Sequence, residues 1–330
     1  MRRPPEPELN RSQQSIFYYS DLAGREDPVL RARPDYFRQS YTHMLIEDVA
    51  ASIMPIGGRS QNRPFRVLLT PADPKVEELI EAGIAHRDYN GDLAESVCDF
   101  FHECAQTIMA FGEAVYEIVY LSKPSDGTIV RFELGFIQPR TVMHRRGKLV
   151  QYVPLEAARR LNVPQYVQLL PERVLTFKPP AYVNDKLEHI MKCLSFLSTH
   201  MLPDFALPAM AGEIKSIPYD SSVFLRSQKL ALADAGKLIG WNARGIAEGE
   251  VLEYYWLHRQ LIFERFKIEL RDTILRTLNE GLELAGRDVG FSGQLKFEGL
   301  PTLDDVKDAE AHLAAGDMPF KEVLKPFLTV

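Results

Sequence analysis

Apolar residues recur at helical spacing from Asp35 to Met54, at Phe37, Tyr41, Met44, Leu45, Val49 and Ile53, and Pro55 stops the run. This predicts a first helix. "NRPFRVLLT" then reads as a strand from Phe65 to Leu69. Asp73 followed by Pro74 is an N-cap with a first-turn proline, and it opens a short helix through Val76, Leu79, Ile80 and Ile84. Asp92 and Glu95 have capping-box spacing ahead of a longer helix. Its apolar stripe is Leu93, Val97, Phe100, Phe101, Cys104, Ile108 and Phe111. Gly112 stands where a left-handed residue would release the chain.

A hairpin comes next. Ala114 to Leu121 is largely apolar on both sides, Ser125-Asp126-Gly127 supplies a turn, and Val130, Phe132, Leu134 and Phe136 alternate with Arg131 and Glu133 on the return. Further strands are expected at Leu149–Val153 and Val174–Lys178, with a short helix from Leu155 to Leu161 between them. Beyond Pro180, "DKLEHIMKCLSFLSTHML" is helical until Pro203 and Pro208. An irregular or β stretch, "AMAGEIKSIPYDSSV", precedes a helix from Phe224 to Ile239. "GWNARGIAEG", Gly240 to Gly249, holds three glycines and reads as an exposed flexible loop. Glu250 to about Ala285 is one helix without an internal proline, about 50 Å long at 1.5 Å per residue. "QLKFEGLP" is a closing strand, and Thr302 caps a last helix through Leu303, Val306 and Leu313 that Gly316 ends.

Composition changes this picture little. The chain has 330 residues, 45% hydrophobic and 25% charged, enough for a large core or two domains. A formal net charge of -6 argues against a surface that grips phosphate everywhere but leaves room for local basic loops. Cys98, Cys104 and Cys193 form no CxxC pair, which suits a reducing compartment. No apolar run reaches the roughly 20 residues that span a bilayer. "MRRPPEPELNRSQQ" has charge and proline with no hydrophobic stretch behind it, so residues 1–34 read as a mobile arm rather than a signal peptide.

Candidate chemistry is thin. "HECAQ", His102 to Gln106, resembles a zinc-protease helix but has Gln106 where the second histidine belongs. His189, Cys193 and His200 share a helix, and the first two lie four apart. A metal site would need a further ligand from elsewhere, so they read as core packing. Tyr254, Tyr255 and Trp256 would encircle a helix, which points to packing on several sides rather than base stacking. There is no G-x-G-x-x-G, Walker or G-x-S-x-G motif. No catalytic residue, metal ligand or cofactor site is expected, and the chain reads as a non-enzyme.

The order of elements carries more. A helix leading through "AFGEAVYEIVY" into a hairpin, then "FIQPRTVMHRRGKLVQYV" and "LLPERVLTFKPP", resembles the portal proteins of tailed bacteriophages. The resemblance covers roughly residues 36 to 327 and rests on no single diagnostic motif. It departs from the family in lacking a Gly-x-Ser-Pro-Leu stretch after "LTFKPP" and in its short C-terminus. It implies an α+β fold. Residues 35–184 would form a β-rich wing-like region, and 185–239 the stem helices with a small clip at 203–222. Residues 240–249 would be a tunnel loop, 250–285 the long helix, and 286–330 a C-terminal strand and helix with a reduced crown.

The resemblance further implies a ring, usually of twelve copies, at one capsid vertex of a virion assembled in the host cytoplasm. Duplex DNA would pass through it without sequence reading. The terminase packaging motor would dock at the clip, through Asp204, Glu213, Lys215, Tyr219 and Asp220, followed by neck and tail adaptor proteins, with capsid protein around the ring and no membrane. Trp241, Asn242 and Arg244 would be the channel-loop residues. Asn242 and Arg244 are donors able to touch phosphate, and Trp241 either braces the loop or packs at its base. Two other readings stand beside this one, a cellular adaptor that binds partners along the long helix and a hydrolase with an unrecognised site. The loop and the clip are also compatible with plain connections.

Overall fold

A computed structural model describes residues 9–16, 40–54, 65–85, 92–199, 229–245 and 252–328. The local signals in the sequence have direct counterparts. Helix α1 is Ser40–Ile53, strand β2 is Arg66–Thr70, and α2 is Pro74–Ile84. Asp73 accepts from the Lys75 amide at the start of α2, and Asp92 accepts from the Glu95 amide at the start of α3, Leu93–Phe111. Gly112 ends α3 at φ 87°, a conformation that costs a glycine nothing. The hairpin is β3, Ala114–Ser122, with β4, Ile129–Ile137. Strands β5, Val142–Arg145, and β6, Lys148–Tyr152, are next, then α4, Leu155–Leu161. After them come β7, Tyr166–Gln168, and β8, Val174–Phe177. Helix α5 is Ala181–Thr199, α6 is Glu253–Val289, β9 is Gln294–Glu298 and α7 is Leu303–Ala315. The fold class is α+β.

The chain divides into two units that interleave in sequence. One takes its described residues from Met1–Pro34, Gly57–Lys178 and Asp272–Gly299, the other from Asp35–Ile56, Pro179–Arg271 and Leu300–Val330. Helix α6 therefore contributes its first half to one unit and its second half to the other.

In the first unit β3 is the central strand of an antiparallel sheet. It pairs along its length with β4, while its other edge is divided between β8 and a two-residue strand β1, Asn10–Arg11. Phe100, Tyr116 and Phe177 meet over this sheet with centroids 5.2–5.6 Å apart, the offset and edge-on geometry that ring quadrupoles favour. Gly83 in α2 lets the Phe132 ring close to within 2.6 Å of where a Cβ would stand. Strand β9 pairs with β2, and β5, β6 and β7 form a separate three-stranded sheet. In the second unit, Leu257, Leu261 and Ile268 of α6 pack against Val306, Ala309 and Leu313 of α7 and against Val323, Leu324 and Phe327.

Several expectations need correction. Residues 9–16, expected within a mobile arm, are fastened to the first unit. Asn10–Arg11 extends the edge of β3, and the buried carboxylate of Glu117 accepts the Gln14 and Ser15 amides at 2.8 Å each. Gln151 closes on Ile16 from both sides, accepting its amide and donating to its carbonyl. A segment so held exchanges water for charge-assisted bonds, which is why it is ordered despite its polar sequence. Helix α5 begins at Ala181 rather than Asp185, because the Pro180 carbonyl accepts from Val183 and Asn184. Helix α6 runs on to Val289, four residues beyond the expected end. At Gly281 the missing Cβ admits Leu175, whose Cδ1 would lie 2.3 Å from it.

Candidate functional site

The residues singled out for the channel loop fall into two sets. Gly240 to Gly245 belong to the described structure, and 246–249 lie outside the described residues. So do 203–222, and with them Asp204, Glu213, Lys215, Tyr219 and Asp220.

The helix expected to run to Ile239 instead ends at residue 235. Gly236 comes next, with a Cβ position only 2.4 Å from the Trp241 carbonyl oxygen, and a 3-10 turn, Lys237–Ile239, leads to Gly240 at φ 72°. A Cβ on Gly240 would lie 2.3 Å from the Arg259 carbonyl oxygen and 2.5 Å from the Phe263 nitrogen. Gly240 is therefore required where the backbone crosses α6 at close range, and Gly236 where it meets the Trp241 carbonyl.

Trp241 is 1% exposed and fully part of the core of its unit. Its indole Nε1 donates to Asp48 Oδ2 at 2.8 Å, satisfying the one polar group that such a burial strands. The Trp241 carbonyl accepts from Arg259, which also holds the Ala233 carbonyl. Ala243 and Arg244 both adopt φ 53°, and Asn242 Oδ1 accepts the Arg244 amide at 3.2 Å. This turn brings the Arg244 guanidinium back onto α1. Its Nε donates to Asp48 Oδ1 at 2.7 Å and its Nη2 to Glu47 Oε2 at 3.1 Å. Hydrogen bonding to Asp48, and then to Glu47, raises the Arg244 pKa above its already high value.

The structure thus brings Trp241, Asn242 and Arg244 together, but around α1 rather than in an open loop. The expectation of an exposed loop fails for Gly240, Trp241 and Ala243, which are buried, while Arg244 stays exposed. The positive charge of Arg244 sits between two carboxylates, so it does not stand ready for phosphate. Asp48 and Glu47, the residues that make this knot, lie about 195 positions away in the chain and carried no signal beyond facing the polar side of a helix.

The remaining candidates also sort out. Cys104 is fully buried, and burial pushes its thiol pKa well up, as its place on the apolar stripe of α3 demands. His189, read as core packing, is exposed, with Cys193 Sγ 3.6 Å from its Nε2. The expected face was misjudged, because α5 turns Val183, Leu187, Ile190, Met191 and Leu194 inward instead. Tyr254 and Tyr255, expected to be packed, are 41% and 59% exposed, while Trp256 packs against the cluster shared with α7. Among the described residues there is no group of three or more His, Cys, Asp or Glu side chains that could hold a metal. Among them, too, no helix is long and apolar enough to cross a membrane.

No family model matches this chain, and no curated protein does. One solved structure to which it is similar is described as the neck of an empty GTA particle computed with C6 symmetry. The match has 11% identity and a TM-score of 0.46, over 90% of this chain and 87% of that one. A superposition this loose establishes neither a shared fold nor a shared role, and what the protein does has to be read from its own residues.

Proposed function

We propose that the protein is the subunit of a portal-type ring at one vertex of a phage-like capsid. Twelve copies would close around a channel for duplex DNA, with docking sites for a packaging motor and for neck proteins and no catalytic activity of its own. The observation that carries this reading is the course of α6. It is 37 residues long, about 55 Å at 1.5 Å per residue, comes directly after the Gly-rich segment, and belongs by its two halves to two different units. After it, β9 returns to pair with β2 and a capped helix follows. That succession of hairpin, helix, glycine segment, long helix and closing strand is the one the portal resemblance implies.

A ring closes through heterologous interfaces, two different patches on each subunit. Electron microscopy of the purified protein, viewed down the symmetry axis of the particles, tests the proposal. Closed rings with a central opening are expected. Only monomers or dimers under several salt conditions would overturn it and leave the adaptor reading, in which the long helix serves partners directly.

A further inference from the structure

The chain as a whole has 39 Lys and Arg against 45 Asp and Glu. Residues 139–170 break that balance, with Arg140, Arg145, Arg146, Lys148, Arg159 and Arg160 against the single acid Glu156. These residues make up the three-stranded sheet β5–β6–β7 and helix α4. Arg145, Arg146, Lys148, Arg159 and Arg160 are all exposed, and none of them makes an ion pair among the described residues. Other arginines are neutralised, as Arg244 is by Asp48 and Glu47 and Arg131 by Glu133.

The cations concentrate at the tip of the β5–β6 hairpin. Arg145 pairs with Lys148, and the two-residue turn between them is Arg146-Gly147, at φ 51° and 77°. Positive φ at both central positions is the turn that suits a twisted hairpin, and Asn, Asp or Gly ordinarily fills its first position. An arginine there accepts backbone strain that a neutral asparagine would avoid. Behind the tip, the Arg145 guanidinium lies 3.7 Å from the centroid of the Tyr166 ring, which holds its plane in place, and Lys148 Nζ donates to Gln168 Oε1 at 3.1 Å. The large hydrophobic residues exposed in this module, Leu155 and Leu161, are both on α4 and not beside the tip.

We propose that this hairpin tip is a contact site for the phosphate backbone of duplex DNA, with Arg145, Arg146 and Lys148 as its donors. Uncompensated, oriented cations without an apolar centre fit a polyanion that is gripped by charge and left free to slide. A protein partner would call for a desolvated apolar core. The site stands on the isolated subunit and does not depend on ring formation.

The test is fluorescence anisotropy of the full chain with a labelled duplex of about 30 base pairs, from about 50 to 200 mM salt. The wild type should bind with steep salt dependence. Arg145→Gln with Arg146→Asn and Lys148→Gln should weaken binding about tenfold or more at low salt and flatten the logarithmic salt slope by about two to three. Arg146→Asn alone keeps the turn in its preferred chemistry, and so leaves the fold intact, yet should lower the slope by about one. Wild-type affinity and slope in these variants, or no salt-dependent binding by the wild type, would overturn the assignment. Tighter binding to poly-glutamate than to the duplex would overturn it too, by giving the tip to an acidic protein.

Discussion

The indole of Trp241 and the carboxylate of Asp48, 193 residues apart in sequence, meet at 2.8 Å, and the second oxygen of the same carboxylate takes the Nε of Arg244 at 2.7 Å. One aspartate on α1 therefore fastens both ends of a short turn. The two bonds are unequal in weight. The indole is buried and has no water to fall back on, whereas the Arg244 side chain is 52% exposed.

Asp48→Ala should therefore destabilise the protein by about 1–3 kcal/mol, the cost of a buried donor without a partner. Arg244→Ala should cost less than about 1 kcal/mol, as surface ion pairs do. Urea unfolding of the two variants measures both. Equal costs would mean that the indole bond contributes no more than the ion pair.

Glu117 holds the N-terminal strap by accepting two backbone amides inside the protein. Glu117→Ala should free residues 9–16, and hydrogen exchange at Gln14 and Ser15 should rise toward the rate of an open chain while α3 stays protected. Deleting residues 1–16 instead strands the carboxylate, and should cost more stability than the Glu117→Ala change. Hydrogen-exchange mass spectrometry and a melting curve separate the two effects.

Gly281 is a glycine inside a helix, where alanine ordinarily gains about 1 kcal/mol. Here the added methyl would meet Leu175, so Gly281→Ala should destabilise instead. The double variant with Leu175→Ala should recover part of the loss, giving a coupling energy of about 0.5–3 kcal/mol in a double-mutant cycle. Additive costs would separate the two positions.

Thiol titration tracks burial. Cys104 should react with a soluble disulfide reagent only after unfolding, and Cys193, partly exposed at the surface of α5, well before it. Rapid labelling of Cys104 in the native protein would contradict the packing of α3.

The elements legible in the sequence were those whose determinants are local. Asp73, Asp92 and Thr302 cap helices with amides two or three residues away, and Gly112 and Gly316 end them in left-handed turns. The hairpin from Ala114 was legible because alternation and turn residues adjoin. What sequence reading missed is held by distant partners. Strand β1 is two polar residues with no strand propensity, ordered by β3 and Glu133 more than 100 residues on, and the residues after it by Glu117 and Gln151. The knot of Trp241 failed similarly, for three glycines look alike whether they allow motion or close approach to another helix. The left-handed backbone of Arg146 was likewise not legible, since arginine is not a residue that signals it.

The pairing of β2 with β9 has a consequence for how the protein is made. Val67 lies opposite Phe297, 230 residues later in the chain. At about 5–20 residues per second, β2 emerges from the ribosome on the order of 10 to 50 s before its partner exists. Throughout that interval a strand carrying Val67, Leu68 and Leu69 has an open edge, and the first unit cannot be completed until β9 has been made. Any product that stops before Gln294 lacks the strand that pairs with β2 and so leaves that edge open to other chains.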